Sequence, residues 1–108
     1  MSKFYDFKKL SEFVIQWAED RELLTKGTPT SQIRKTLEKV KETKQAIENK
    51  DCEGTVDGIG DTLVTLIILC KLLGIRPEHC LSYAFNQIKN RTGKIVNGSF
   101  VKDNKRTF

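Results

Sequence analysis

Val56-Asp57-Gly58-Ile59-Gly60-Asp61-Thr62-Leu63-Val64-Thr65-Leu66-Ile67-Ile68-Leu69-Cys70-Lys71-Leu72-Leu73-Gly74 is the stretch on which the fold turns. After Thr62 apolar residues fall on nearly every side of a helix, and such a helix belongs at the centre of a fold. Gly74 suits the left-handed residue that ends it. Asp57 and Asp61 stand four apart near its start and so share one face. Gly58 and Gly60 weaken those first turns, which implies close approach by another helix or by a ligand. Carboxylates on a central helix are costly to bury unless something pairs with them. A hard divalent cation does so through oxygen ligands.

Working outward, Phe7, Leu10, Phe13, Val14, Trp17, Ala18 and Leu24 recur at helical spacing and predict a first helix from about Asp6 to Leu24. Thr25–Pro29 breaks it, and Thr30 or Ser31 is a suitable N-cap for the next. That second helix is expected from Gln32 to Asn49, with Ile33, Leu37, Val40, Ala46 and Ile47 as its apolar side. It carries the matching acidic pair, Glu38 and Glu42. Pro77 fits the first turn of a fourth helix, which runs to about Arg91 or Thr92. Asn97-Gly98 then lies between two short β-prone stretches, a strong hairpin signal. The tail Lys102–Phe108 is polar.

The expected fold is therefore all-α: one domain over 1–108, a four-helix bundle with a short C-terminal β-hairpin and tail over 93–108. The third helix is too apolar for one such layer, so copies should pack against each other as an oligomer.

Composition narrows the function classes. The chain has 108 residues, 38% hydrophobic and 31% charged, which fits one helix-rich domain. Its longest apolar run is about a dozen residues, short of the roughly 18 that a membrane span needs. Met1–Asp6 shows no signal-peptide core. Cys52, Cys70 and Cys80 are odd in number and form no CxxC, as expected for reduced thiols in the cytoplasm. With a single histidine, neither a zinc site nor a nucleophilic triad is expected. A net charge of +5 favours an anionic partner. No helix-turn-helix stands out, so nucleic acid ranks below a nucleotide.

Glu38, Glu42, Glu48, Asp51, Glu53, Asp57 and Asp61 are half of the fourteen acids. Solvated helix surface explains Glu48, Asp51 and Glu53 adequately. It explains Asp61 less well, because that residue immediately precedes the apolar run. His79 and most lysines read as surface. Trp17 lies on the apolar stripe and reads as core, with base stacking as the other option.

Gln32–Ile47, followed by Val56-Asp57-Gly58-Ile59-Gly60-Asp61, resembles the MazG-like all-α nucleoside triphosphate pyrophosphohydrolases. Their pattern is Glu-Glu-x-x-Glu on one helix and Glu-x-x-Asp on the next. Asn86–Lys94 and Asn97–Lys102 resemble the tail of small phage-type members. The resemblance spans about residues 13–103. It implies Mg²⁺, with Mn²⁺ as a substitute, and cleavage of (deoxy)nucleoside triphosphates to monophosphate and pyrophosphate. It also implies a homodimer or homotetramer in the cytoplasm, the host's if the chain is phage-borne. Carried onto this chain, the metal residues would be Glu38, Glu42, Asp57 and Asp61, with Glu38, Glu42 and Asp61 catalytic. Lys35, Lys89, Asn90, Arg91 and Trp17 would meet the substrate.

Two positions depart from the pattern. Lys39 stands where the second glutamate of the first motif belongs, and Gly58 where the glutamate of the second belongs. A lysine ammonium beside Glu42 would replace one cation. The alternative function is therefore a catalytically weakened or inactive MazG-like protein that binds a nucleotide or a partner.

Overall fold

A computed structural model describes residues 5–103, which divide at Pro77 into two compact units. The first holds α1 (Phe7–Asp20), α2 (Leu23–Lys26), α3 (Pro29–Glu48) and α4 (Cys52–Leu73). The second is made of α5 (Pro77–Ile88), which opens on the last residue of the first unit, and a hairpin of β1 (Gly93–Val96) and β2 (Ser99–Lys102). The fold is thus mostly helical with a small antiparallel hairpin, as the sequence predicts at that level.

Capping sets the helix starts. The Asp6 side chain accepts from the Lys9 N–H at 2.8 Å and begins α1. The expected first helix is cut in two, because Glu22 has a left-handed φ of 61° that a right-handed helix cannot continue. α3 starts earlier than expected. Thr28, not Thr30 or Ser31, is its N-cap, and Pro29 occupies the first turn. α4 also starts earlier, where Asp51 caps the Gly54 N–H at 2.9 Å. Gly74, at φ 73°, ends α4 as expected.

α4 is central: α1, α2 and α3 all pack on it. α3 and α4 are joined by a connection of three residues and run antiparallel, bringing Gln32 to Thr65 and Thr43 to Gly58. Their seam is not the expected apolar stripe of α3. Gln32, Thr36 and Ala46 are buried there, with Lys39 and Thr43 half-buried between them. Ile33, Val40, Leu37 and Ile47 remain well exposed, the last two at 62% and 58%. The reason is hydrogen bonding and size. Gln32 Nε2 donates to the Thr65 carbonyl at 3.1 Å, and the Thr36 hydroxyl lies 2.9 Å from that of Thr65. A β-carbon on Gly58 would overlap the Thr43 hydroxyl, so small residues set the helix separation. Gly60, with nothing within 4 Å of such an atom, makes no close approach.

Among the described residues the largest fully buried side chain is Ile68, and Ile67, Ala18 and Ala46 are buried as well. No single described helix is long and apolar enough to cross a membrane.

In the second unit, Ile95 pairs with Phe100 and Val96 with Ser99 across the hairpin. Asn97 and Gly98 both have positive φ, the two-residue turn that the Asn-Gly pair predicts. Asp103 closes the open end, its N–H donating to the Thr92 carbonyl at 2.9 Å. The polar tail expected beyond Lys102 lies mostly outside the described residues.

Candidate functional site

α3 and α4 present two different flanks on either side of their seam. On one, Val40, Ile47, Ile59 and Leu63 line an open apolar groove of about 550 Å³. On the other, Glu42 from α3 and Asp57 and Asp61 from α4 line a polar groove of about 380 Å³, closed at one end by Asn49 and Asp51. Helical spacing produces this second groove. Asp57 and Asp61 are one turn apart on α4, and the antiparallel α3 carries Glu42 past them.

Three of the four expected acidic residues are therefore brought together. The fourth, Glu38, does not line the groove; it pairs with Lys35 at 3.4 Å on the exposed surface of α3. Lys35 is engaged in that same pair. Trp17 is 47% exposed and so is not core. The Arg21 guanidinium lies 4.5 Å from its ring centroid, and Arg21 Nη1 donates to the Trp17 carbonyl. Lys89, Asn90 and Arg91 follow α5 in the second unit and are exposed.

Lys39 changes the chemistry of the groove. Its ammonium lies 3.4 Å from Glu42 Oε2 and 3.7 Å from Asp61 Oδ2, joining α3 to α4. Glu42 chiefly raises the Lys39 ammonium above the usual lysine range; burial opposes it, and Asp61 adds a lesser raise. It is charged at neutral pH and above. Four carboxylates against one ammonium still leave the groove three negative charges in excess.

Carboxylate oxygens are the donor type that Mg²⁺ prefers. Their arrangement does not yet fit such an ion. Among the described residues no three His, Cys, Asp or Glu side chains converge as a ligand set. The space between Glu42 and Asp61 is held by the lysine.

Sequence reasoning placed Asp51 on a solvated surface. It lines the groove while also capping α4. An Asp just ahead of a helix is a recognised N-cap signal, which marks its capping role but not its place in the groove.

No protein-family model matches the chain, and no solved structure matches it. A curated protein of Haemophilus phage HP1 (strain HP1c1), described as an uncharacterized 18.2 kDa protein in the rep-hol intergenic region, is 35% identical over 66 residues. The match covers 61% of this chain and 40% of that protein, so the chain spans well under half of its relative's length.

Proposed function

We propose that this protein is a MazG-like nucleotide pyrophosphohydrolase that cleaves (deoxy)nucleoside triphosphates to monophosphate and pyrophosphate with Mg²⁺. The observation that carries this reading is the meeting of Glu42, Asp57 and Asp61 in one groove across two antiparallel helices. These are positions that the resemblance singles out. When bound, Mg²⁺ would neutralise phosphate charge and activate water. On this reading Glu42, Asp57 and Asp61 would hold it, although they do not converge as a ligand set in this structure. Lys89, Asn90 and Arg91 are the proposed phosphate and sugar contacts. The region Glu78–Phe108 carries six of the nineteen Lys and Arg and only two of the fourteen acids.

The finer fold assignment, a four-helix bundle of the all-α pyrophosphohydrolase type, belongs to the same proposal. So does assembly into a homodimer or homotetramer. Val40, Ile47, Ile59 and Leu63 are exposed along the α3/α4 flank opposite the acids, and Ile33 and Leu37 are exposed on the same helix as Val40. Exposed apolar side chains grouped in one groove support an interaction surface. The phage relative supports a setting in a host cytoplasm.

The second reading is a MazG-like scaffold that captures nucleotides with little or no turnover. Lys39 between Glu42 and Asp61 is the observation that favours it.

Pyrophosphate release from a panel of NTPs and dNTPs, with and without Mg²⁺ and beside Asp61→Ala, separates the two. The hydrolase reading expects Mg²⁺-dependent release that falls at least ~100-fold in Asp61→Ala, of the order found when a charge-stabilising group is removed. Nucleotide binding by calorimetry without release at high protein concentration would establish the capture reading instead.

A further inference from the structure

Two faces of α3 carry side chains at alternating steps of four and three. Gln32, Thr36, Lys39, Thr43 and Ala46 lie on the face turned to α4. Ile33, Leu37, Val40, Lys44 and Ile47 repeat the same steps one position on, and the apolar members are exposed. α4 shows the same duplication. Beside the face that meets α3, Val56, Ile59, Leu63, Leu66, Cys70 and Leu73 follow at alternating steps of three and four. All but the half-buried Cys70 are exposed. A mean period of about 3.5 residues is that of a helix packed along its length against other helices. On each helix one such stripe is used within the chain and the other faces outward.

The two outward stripes border one flank. Val40 and Ile47 of α3 and Ile59 and Leu63 of α4 line the groove of about 550 Å³, and Ile47 and Val56 line a further hollow of about 400 Å³ by the turn between the helices. Charge sets this flank apart. Its charged members are Lys44 with Glu48, paired at 2.9 Å, and Lys50 with Asp51. They cancel, on a chain of net charge +5 and opposite a groove with three negative charges in excess. Two copies can therefore meet on this flank without the like-charge repulsion that the opposite groove would produce.

The area suffices as well. The nine outward apolar side chains are each 39–73% exposed. At ~25 cal/mol per Å², the ~1.5–3 kcal/mol of fully burying such a side chain corresponds to roughly 60–120 Å², of which about half is still to be covered. Two copies would bury roughly 500–1,000 Å² of apolar side chain, or roughly 800–1,700 Å² in all at the ~65% apolar share of a homodimer interface. A stable interface buries about 1,600 Å².

We propose that this flank is a self-association surface: a second copy of the chain packs its own α3/α4 flank on it about a two-fold axis, and the four helices close one bundle with the outward stripes as its core. This rests on the assembly named in the proposed function, gives that assembly its face, and is independent of catalysis. The stripes call for two antiparallel helices with apolar stripes of the same period, and the chain itself supplies that pair. A two-fold contact is self-complementary and closes on itself. Lys44 is the polar member of the α3 stripe, and one polar residue in such a core fixes the register.

The test is sedimentation equilibrium of the full chain at about 100 μM, above the μM end of the affinity range for interfaces of this size. Wild type is expected as a dimer or a multiple of one. It is compared with Leu63→Glu, Leu63→Lys and, as a second site on α3, Leu37→Glu, each shown to be helical by circular dichroism. Each variant should weaken association at least ~100-fold, since two like charges then meet in an apolar core. Leu81→Glu, at an exposed apolar position on α5, should leave association unchanged. An equimolar mixture of Leu63→Glu and Leu63→Lys should re-form the assembly, because in the middle of the flank a two-fold axis brings a residue close to its own copy. A folding defect could not give that recovery. Monomeric wild type would overturn the proposal and the assembly reading together. Unchanged association in a folded Leu63 or Leu37 variant would overturn the proposal alone and leave assembly to another face. So would a mixture that stays dissociated. Pyrophosphate release is read separately: its absence from every sample removes the hydrolase reading and leaves the flank assignment standing.

Discussion

At the scale of single residues, the two glycines of α4 read alike in sequence and differ in structure. Both weaken a helix, and both therefore imply close approach. Only Gly58 makes one: a β-carbon there would overlap the Thr43 hydroxyl and lie 3.0 Å from Thr43 Cβ and 3.1 Å from its Cα. Gly58→Ala should accordingly destabilise the protein by ~1–2 kcal/mol, because overpacking outweighs the gain in helix propensity. Gly60→Ala, with nothing within 4 Å, should stabilise it by ~0.5–1 kcal/mol. Urea midpoints of the two variants, measured side by side, check both signs. Spacing made the acids legible as two pairs, and only the resemblance joined them into one set, of which three members share the groove. Spacing linked Asp57 to Asp61 and Glu38 to Glu42, whereas the groove joins Glu42 to Asp57 and Asp61 across two helices. Glu38 falls on the exposed surface of α3, away from the groove, where it pairs with Lys35. No periodicity within one helix can report which of two neighbouring acids the next helix will face.

At the scale of elements, helix identity was legible almost throughout and helix packing was not. The apolar pattern predicted α1, α3, α4 and α5, and Asn97-Gly98 predicted the hairpin. The starts of α3 and α4 were placed late because Pro29 was read as a breaker and Asp51 as a loop residue, where they are a first-turn proline and an N-cap. The larger surprise is the seam. Hydrophobic periodicity points to Ile33, Leu37 and Val40 as the buried side of α3, yet Gln32 and Thr36 are buried instead. The Thr36 and Thr65 hydroxyls meet at 2.9 Å, and Thr65 donates onward to the Thr62 carbonyl at 2.7 Å. Thr65→Val keeps the shape and removes both hydrogen bonds of the hydroxyl, one accepted and one donated. It should cost ~1–3 kcal/mol, the net worth of two such bonds. A urea midpoint unchanged from wild type would show that the seam is held by size alone.

For the whole molecule, the small core and the exposed α3/α4 flank are two sides of one fact. Apolar residues that would fill the interior of a larger domain line an open groove instead. The assembly proposed above predicts that Leu63→Glu, in the middle of that flank, shifts sedimentation toward the monomer and lowers thermal stability. Asp57→Asn, in the opposite groove, should leave the sedimentation coefficient unchanged. The excess of apolar residues on α4 raised the expectation of an oligomer; the exposed groove itself was not legible, since α3 supplies half of its apolar lining. The packing of Gly58 on Thr43 also makes the two positions answer to one another. A side chain at position 58 meets Thr43 on the neighbouring helix before it meets solvent. Thr43 must shrink before position 58 can grow. The two positions are therefore coupled: Gly58→Ala should cost less in a Thr43→Gly background than in wild type, and the difference is the energy of their contact.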